Sequence, residues 1–178
     1  MKGGPLIERL RRVEALVLDV DGVLTDGGIV YPGDKPEIKA FSVRDGFALK
    51  LWRGQGGKLF IITGRKSIAV DRRARELGAA GVAQGIESKA EAFRALLAEH
   101  RLERSAIAAM GDDWPDLPLI LGAGVGITVA EAHEEIRAAA DYVAKAPAGS
   151  GAVAEAVELI LRAKGAWEAA TAEYRRAA

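Results

Sequence analysis

Residues 15–26 read ALVLDVDGVLTD: an apolar run ending in two aspartates one residue apart, followed at once by Gly22. Four consecutive apolar residues, Ala15 to Leu18, fit a strand buried on both faces, as inside a parallel sheet. In open sheets of that kind, chemistry sits where strands end and the chain turns. Asp19 and Asp21 would share a face in a regular strand, and Gly22 lets the backbone turn sharply just after them. Two carboxylates so close repel each other, and burial sharpens the repulsion. A divalent cation relieves it, because carboxylate oxygens are hard ligands. The bland alternative is a strand-end turn with solvated acids, and the rest of the chain has to decide between the two.

Working outward, strand-like runs at 16–19, 58–62, 81–83, 107–110, 125–127 and 141–143 alternate with helix-like stretches. The helical stretches are 45–55, 67–77, 88–101, 116–121, 131–140 and 152–163. Such alternation predicts an α/β fold: a three-layer, Rossmann-like parallel sheet with helices on both faces. Residues 1–164 read as one domain, and 165–178 as an Ala-rich tail forming a loose or partner-packed helix. Residues 27–43 break the pattern. GIVY and EIKAFSV flank a turn-rich PGDKP, which predicts an inserted β-hairpin.

Composition narrows the function. Among 178 residues, 25 Lys and Arg balance 25 Asp and Glu, so nothing suggests nucleic acid or an anionic membrane as partner. Hydrophobic residues make up 49% of the chain, which excludes a disordered one. No apolar run reaches the ~18 residues of a membrane span. The opening MKGGPLIERLRRVE lacks the apolar core of a secretory signal, so a cytoplasmic location is expected. With no cysteine and 2 histidines, thiolate chemistry is absent and a His-based metal centre is disfavoured. The available chemistry is that of Asp, Lys, Arg and Thr.

Three more places carry such residues. LFIITGR at 59–65 ends an apolar strand in Thr63, Gly64 and Arg65. Thr63 and the free amides of the next turn suit an anion, and Arg65 offers a planar fork; a plain helix cap is the alternative for Thr63. Lys89 opens a helix, where its charge opposes the helix dipole unless an anion lies between, or unless it is simply solvated. AAMGDDWPD at 108–116 ends another strand in glycine and paired acids, a second source of metal ligands. Asp113 and Asp116 also suit helix capping.

Taken in order, DxDG, TGR, Lys and GDDxxD resemble the four-motif signature of the haloacid dehalogenase superfamily of phosphatases, over residues 15–161. VRDGFALK, ITGRKSIAVDRRARELG, QGIESKAEAF and APAGSGAVAEAVELIL resemble more narrowly the 3-deoxy-D-manno-octulosonate 8-phosphate phosphatases of lipopolysaccharide biosynthesis. The resemblance implies that Asp19 is the nucleophile and forms an aspartyl-phosphate. It implies that Asp21 is the general acid and then the general base. Mg2+ would be bound by Asp19, the backbone carbonyl of Asp21, and Asp112. Thr63 and Lys89 would hold phosphoryl oxygens. Asp113 or Asp116 would orient Lys89 or metal-bound water, with Asp113 expected nearer the metal.

The intervals between motifs leave no room for the cap domain found in many superfamily members. The resemblance therefore implies a homotetramer built through the 27–43 hairpin, with neighbours completing each site. A sugar-acid phosphate would be recognised by Thr63, Gly64 and cations at the entrance: Arg44, Arg65 and Arg73. Arg73 has a plain surface role as its alternative. The chain departs from the subfamily at Ser150 and Ala154, where arginines are usual or common. That keeps open a related nine-carbon sugar-acid phosphate or another small phosphomonoester as substrate. A non-catalytic oligomerisation or regulatory module is a further alternative.

Overall fold

The computed structural model describes residues 4–176. In chain order its elements are α1 (Leu6–Arg11), β1 (Ala15–Leu18), α2 (Val43–Gly54), β2 (Lys58–Thr63), α3 (Ile68–Leu77), β3 (Gly81–Gln84) and α4 (Lys89–His100). There follow β4 (Ile107–Met110), α5 (Leu117–Gly122), β5 (Val125–Val129), α6 (Glu134–Ala139), β6 (Tyr142–Ala144), α7 (Ala152–Ala163) and α8 (Trp167–Arg176). The strands form one six-stranded sheet in the order β3-β2-β1-β4-β5-β6. Every pairing is parallel, as the alternation of strands and helices predicts.

β1 lies between β2 and β4, in register Leu18 to Ile61 on one side and Leu18 to Met110 on the other. Its apolar run feeds two cores. Leu16 and Leu18 pack with Trp52 of α2 and with Val153, Val157 and Ile160 of α7. Ala15 and Val17 pack on the opposite face with Phe93 and Leu97 of α4 and Leu119 of α5. After β3 the chain crosses back to β4 on the far side of β1, so the sheet's switch point opens beside the end of β1. That is where open α/β sheets place their ligands.

Local chemistry sets the helix ends. The Ser42 hydroxyl accepts from the Asp45 amide at 3.2 Å and starts α2. Gly78, at φ 61°, closes α3 in the left-handed region. α6 begins three residues later than the apolar pattern suggests, because His133 Nδ1 accepts from the Glu135 amide and caps it there. α1, absent from the sequence reading, buries Leu10 under α7.

The hairpin differs from expectation. Residues 27–43 run as an antiparallel loop held by one bridge, Val30 to Ile38, not as two strands. The reason is physical: an isolated two-stranded ribbon is marginal in water. Its outward residues Ile29, Val30, Tyr31 and Ile38 are 45–65% exposed in the single chain. The tail helix α8 lies against α2 and α7, with Ala170 buried and Tyr174 edge-on to Phe47 at 5.1 Å. Residues 177 and 178 of that tail lie outside the described residues.

Two acids, buried Asp45 and half-buried Glu155, fasten α7. Asp45 accepts from the Gly151 and Ala154 amides at 3.2 and 2.8 Å, tying α2 to the start of α7. Glu155 accepts from the Tyr142 hydroxyl at 2.6 Å and from the Lys145 and Ala146 amides at 3.0 and 2.8 Å. Burial opposes the Glu155 charge, but these donors outweigh it and hold the carboxyl below its usual range. The bond to Glu155 in turn pushes Tyr142 up to about 12. A depressed carboxyl contributes stability above its unfolded pKa and loses it as pH falls through its folded value. Glu155→Gln should therefore cost about 1–3 kcal/mol in urea unfolding at pH 7. The deficit should shrink as pH falls below the ordinary glutamate range and through the depressed folded value, where the wild type also loses the charge. A deficit independent of pH would contradict this assignment.

Candidate active site

The site is a cleft of about 400 Å³ at the carboxyl ends of β1, β2 and β4. Asp19, Asp21, Thr63, Lys89, Asp112 and Asp116 all line it. Asp19 follows the last residue of β1, is 5% exposed, and is fixed by its amide donating to the Met110 carbonyl at 3.0 Å. Lys89, the first residue of α4, lies 2.8 Å from Asp19 Oδ1 and 2.5 Å from Asp116 Oδ1. Asp116 also accepts from the Asp112 and Asp113 amides through Oδ2 at 3.3 and 3.4 Å. One buried carboxylate thus shapes the loop after β4 and aims the lysine.

Carboxylate oxygens of Asp19, Asp112 and Asp116 lie within 4.8 Å of one another. Burial, and then the Asp116 charge, push Asp19 up to about 7 against the pull of Lys89. Burial, with Asp116 and Asp113 adding, pushes Asp112 up to about 6. Burial also disfavours the Lys89 cation, but the two carboxylates outweigh it and hold its pKa above the ordinary lysine value. Three carboxylates meeting one ammonium leave a surplus of two negative charges. A divalent cation with oxygen preference fits that surplus, and Mg2+ suits carboxylates at a phosphate site. The turn is cut for the same purpose. Gly22 sits at φ 87°, and a Cβ there would run into the Asp112 carboxylate.

The structure sorts the other expected residues. Thr63 ends β2 and is buried at the cleft wall, with Gly64 beside it. Asp113, expected nearer the metal, is exposed and caps the turn at Trp114–Asp116 by accepting from the Trp114 amide at 2.8 Å. Asp116 is the acid that joins the cluster. Of the three arginines, Arg65 reaches the cleft. Arg44 is exposed with its guanidinium against Gly151. Arg73 donates to the Ser42 carbonyl at 2.9 Å and lies over the Phe41 ring at 5.6 Å, which fastens α3 to the start of α2.

Two residues escaped the sequence reading. Lys39 pairs with Asp21 Oδ1, and with Glu37 Oε1 at 3.2 Å. Glu37 pairs with Arg65 at 2.6 Å. The hydrogen bond from Arg65, with the Lys39 charge adding, holds Glu37 below its usual range despite burial, while Glu37 raises Arg65. The available signal was alternation in EIKAFSV, which puts Glu37 and Lys39 on one face and Ile38 and Ala40 on the other.

A family model of haloacid dehalogenase-like hydrolases matches residues 80–157. The 3-deoxy-D-manno-octulosonate 8-phosphate phosphatase of Escherichia coli is 38% identical over 160 residues, 90% of this chain and 85% of that protein. The chain belongs to this phosphatase family, within the haloacid dehalogenase superfamily. The corresponding enzyme of Moraxella catarrhalis, solved with magnesium ion, phosphate ion and KDO, superposes with TM-score 0.92 at 41% identity. That match covers 94% of this chain and 97% of that one. The cobalt-bound deoxy-D-mannose-octulosonate 8-phosphate phosphatase of Haemophilus influenzae superposes at 0.86 with 33% identity, over 89% and 93% of the two chains.

The charge surplus makes a signed prediction. Mg2+ should raise the melting temperature of the wild type. Asp112→Asn should erase that rise yet melt about 2–4 °C higher than wild type without metal, since about 1 kcal/mol of repulsion is removed. Asp112→Asn that still responds to Mg2+ would remove Asp112 from the metal site.

Proposed function

We propose that the chain hydrolyses 3-deoxy-D-manno-octulosonate 8-phosphate, with Mg2+, to the free sugar acid and phosphate. The observation that carries this is the Asp19, Lys89, Asp112 and Asp116 cluster at the sheet's switch point. The chain around it matches the named phosphatases along nearly its whole length. In this reading residues 1–164 are one catalytic domain with the 27–43 hairpin inserted, and 165–178 are a tail.

Asp19 attacks phosphorus through a carboxylate oxygen, and the bond from phosphorus to the sugar oxygen breaks. Asp21 gives its proton to that departing oxygen. Asp21 then accepts a proton from water, whose oxygen attacks the phosphorus of the aspartyl-phosphate. The bond to Asp19 breaks and phosphate leaves. Lys89 and Thr63 hold the phosphoryl oxygens, and Asp116 keeps Lys89 aimed. Asp19, the Asp21 carbonyl and Asp112 would hold Mg2+, which when bound would supply the charge neutralisation that lets one anion approach another. Arg65 stands at the mouth, where it suits the substrate carboxylate.

The assembly is a homotetramer through the hairpin. The exposed Ile29, Val30, Tyr31 and Ile38 and the sparsely bonded backbone between them support this. A cytoplasmic location accords with the fact that, among the described residues, no helix is long and apolar enough to cross a membrane. Ser150 and Ala154 favour a second reading, a related nine-carbon sugar-acid phosphate, which a substrate panel separates from the first.

Phosphate release from 3-deoxy-D-manno-octulosonate 8-phosphate should be fast with Mg2+ and vanish with excess chelator. Asp19→Asn should lower kcat by at least about 10³-fold with fold and assembly retained. Turnover of p-nitrophenyl phosphate alone would keep the chemistry and reject the sugar. Light scattering should give four chains for wild type and fewer for Ile29→Asp combined with Ile38→Asp. Tetramers in that variant would move the interface elsewhere.

A further inference from the structure

The hairpin holds a lysine that a surface loop has no ordinary reason to bury. The Lys39 side chain is 2% exposed, and its ammonium pairs with Asp21 Oδ1 and Glu37 Oε1. Glu37 is braced from the other side by Arg65 at 2.6 Å. A lysine is enclosed at this depth only when its charge is paired, and here the partner is the proton donor itself. The remaining Asp21 oxygen, Oδ2, is buried without a hydrogen-bond partner, with Arg65 Nε 4.0 Å away. One oxygen of the acid is anchored by the lysine, and the other makes no hydrogen bond and lies beside the Arg65 guanidinium. Between its own two arms the hairpin has a single bridge, so this charge network is a main tie holding it against the cleft.

We propose that Lys39 is a positioning residue for Asp21. Braced by Glu37, it fixes the orientation of the carboxylate for the leaving sugar oxygen, and so makes the seating of the hairpin a condition of bond cleavage. Proton transfer requires donor and acceptor within about 2.6–3.2 Å, a tolerance that a carboxylate on an untethered turn does not keep. The inference rests on Asp21 being the proton donor.

The test is the dependence of leaving-group release on leaving-group basicity, measured in single turnovers. p-Nitrophenolate departs without a proton; the alkoxide of the sugar does not. Lys39→Met should slow release from the sugar-acid phosphate by about 10- to 100-fold, a part of the ~10²–10⁴ that a placed acid supplies. Release from p-nitrophenyl phosphate should fall less than about 3-fold, because little proton transfer is at stake there. Lys39→Arg should recover much of the loss. Glu37→Gln should err in the same direction, and adding it to Lys39→Met should cost little more. Equal losses on both substrates, or none, would overturn the assignment. Should Lys39→Met fail to fold, Glu37→Gln alone decides by the same contrast. Asp21→Asn is the reference: if it shows no such contrast, the proton-donor reading fails, and if it alone shows it, only Lys39 is misassigned.

Discussion

At the carboxyl end of β1, three acids crowd around one ammonium, and most of the molecule can be read as the means of holding them there. Desolvation and mutual repulsion make the cluster unfavourable by itself, which is why Asp19 and Asp112 resist ionisation. The surrounding structure sustains it. Two apolar faces on β1 anchor the strand in two cores, so Asp19 cannot retreat toward solvent. Asp116 donates nothing and accepts twice from the loop backbone, so the β4 loop is closed around the lysine's partner. Gly22 and Gly111 leave no side chain where Asp112 and Asp116 need room. Electrostatic strain of this kind belongs in a site built for a divalent cation and a phosphoryl group.

The second arrangement is the hairpin. It is poor in backbone bonds and rich in exposed apolar side chains on one face, yet on its other face it brings two charged residues against Asp21 and Arg65, which line the cleft. That charged face braces Asp21 and Arg65 from outside the cleft. The division between the outward Ile38 and the inward Glu37 and Lys39 follows from alternation along a single stretch of backbone.

Much of this was legible in the sequence, for identifiable reasons. Apolar runs such as 15–18 and 107–110 announce buried parallel strands because both faces of each must be apolar. Asp19, Asp112 and Lys89 were legible because strand ends and helix starts are where a parallel sheet exposes chemistry. The choice between Asp113 and Asp116 was not, because either acid can cap a turn and only the fold shows which one meets Lys89. Arg73 suited the entrance by type, but its guanidinium is taken up by the Ser42 carbonyl and the Phe41 ring. Asp45 went unread because its partners at Gly151 and Ala154 lie more than a hundred residues away. The hairpin's strands were read from composition, and composition does not say whether a ribbon has anything to pair with.

The central claim is that Asp19 becomes covalently phosphorylated. The direct measurement is to quench Asp21→Asn during turnover, reduce any acyl-phosphate with borohydride, and locate the product by peptide mass spectrometry. Asp21→Asn with p-nitrophenyl phosphate is chosen because that leaving group departs without a proton while attack by water is slowed, so the intermediate accumulates. Homoserine at position 19, dependent on substrate and Mg2+, is the predicted result. Reduction at Asp112 or Asp116, or turnover with no reducible intermediate, would contradict the account.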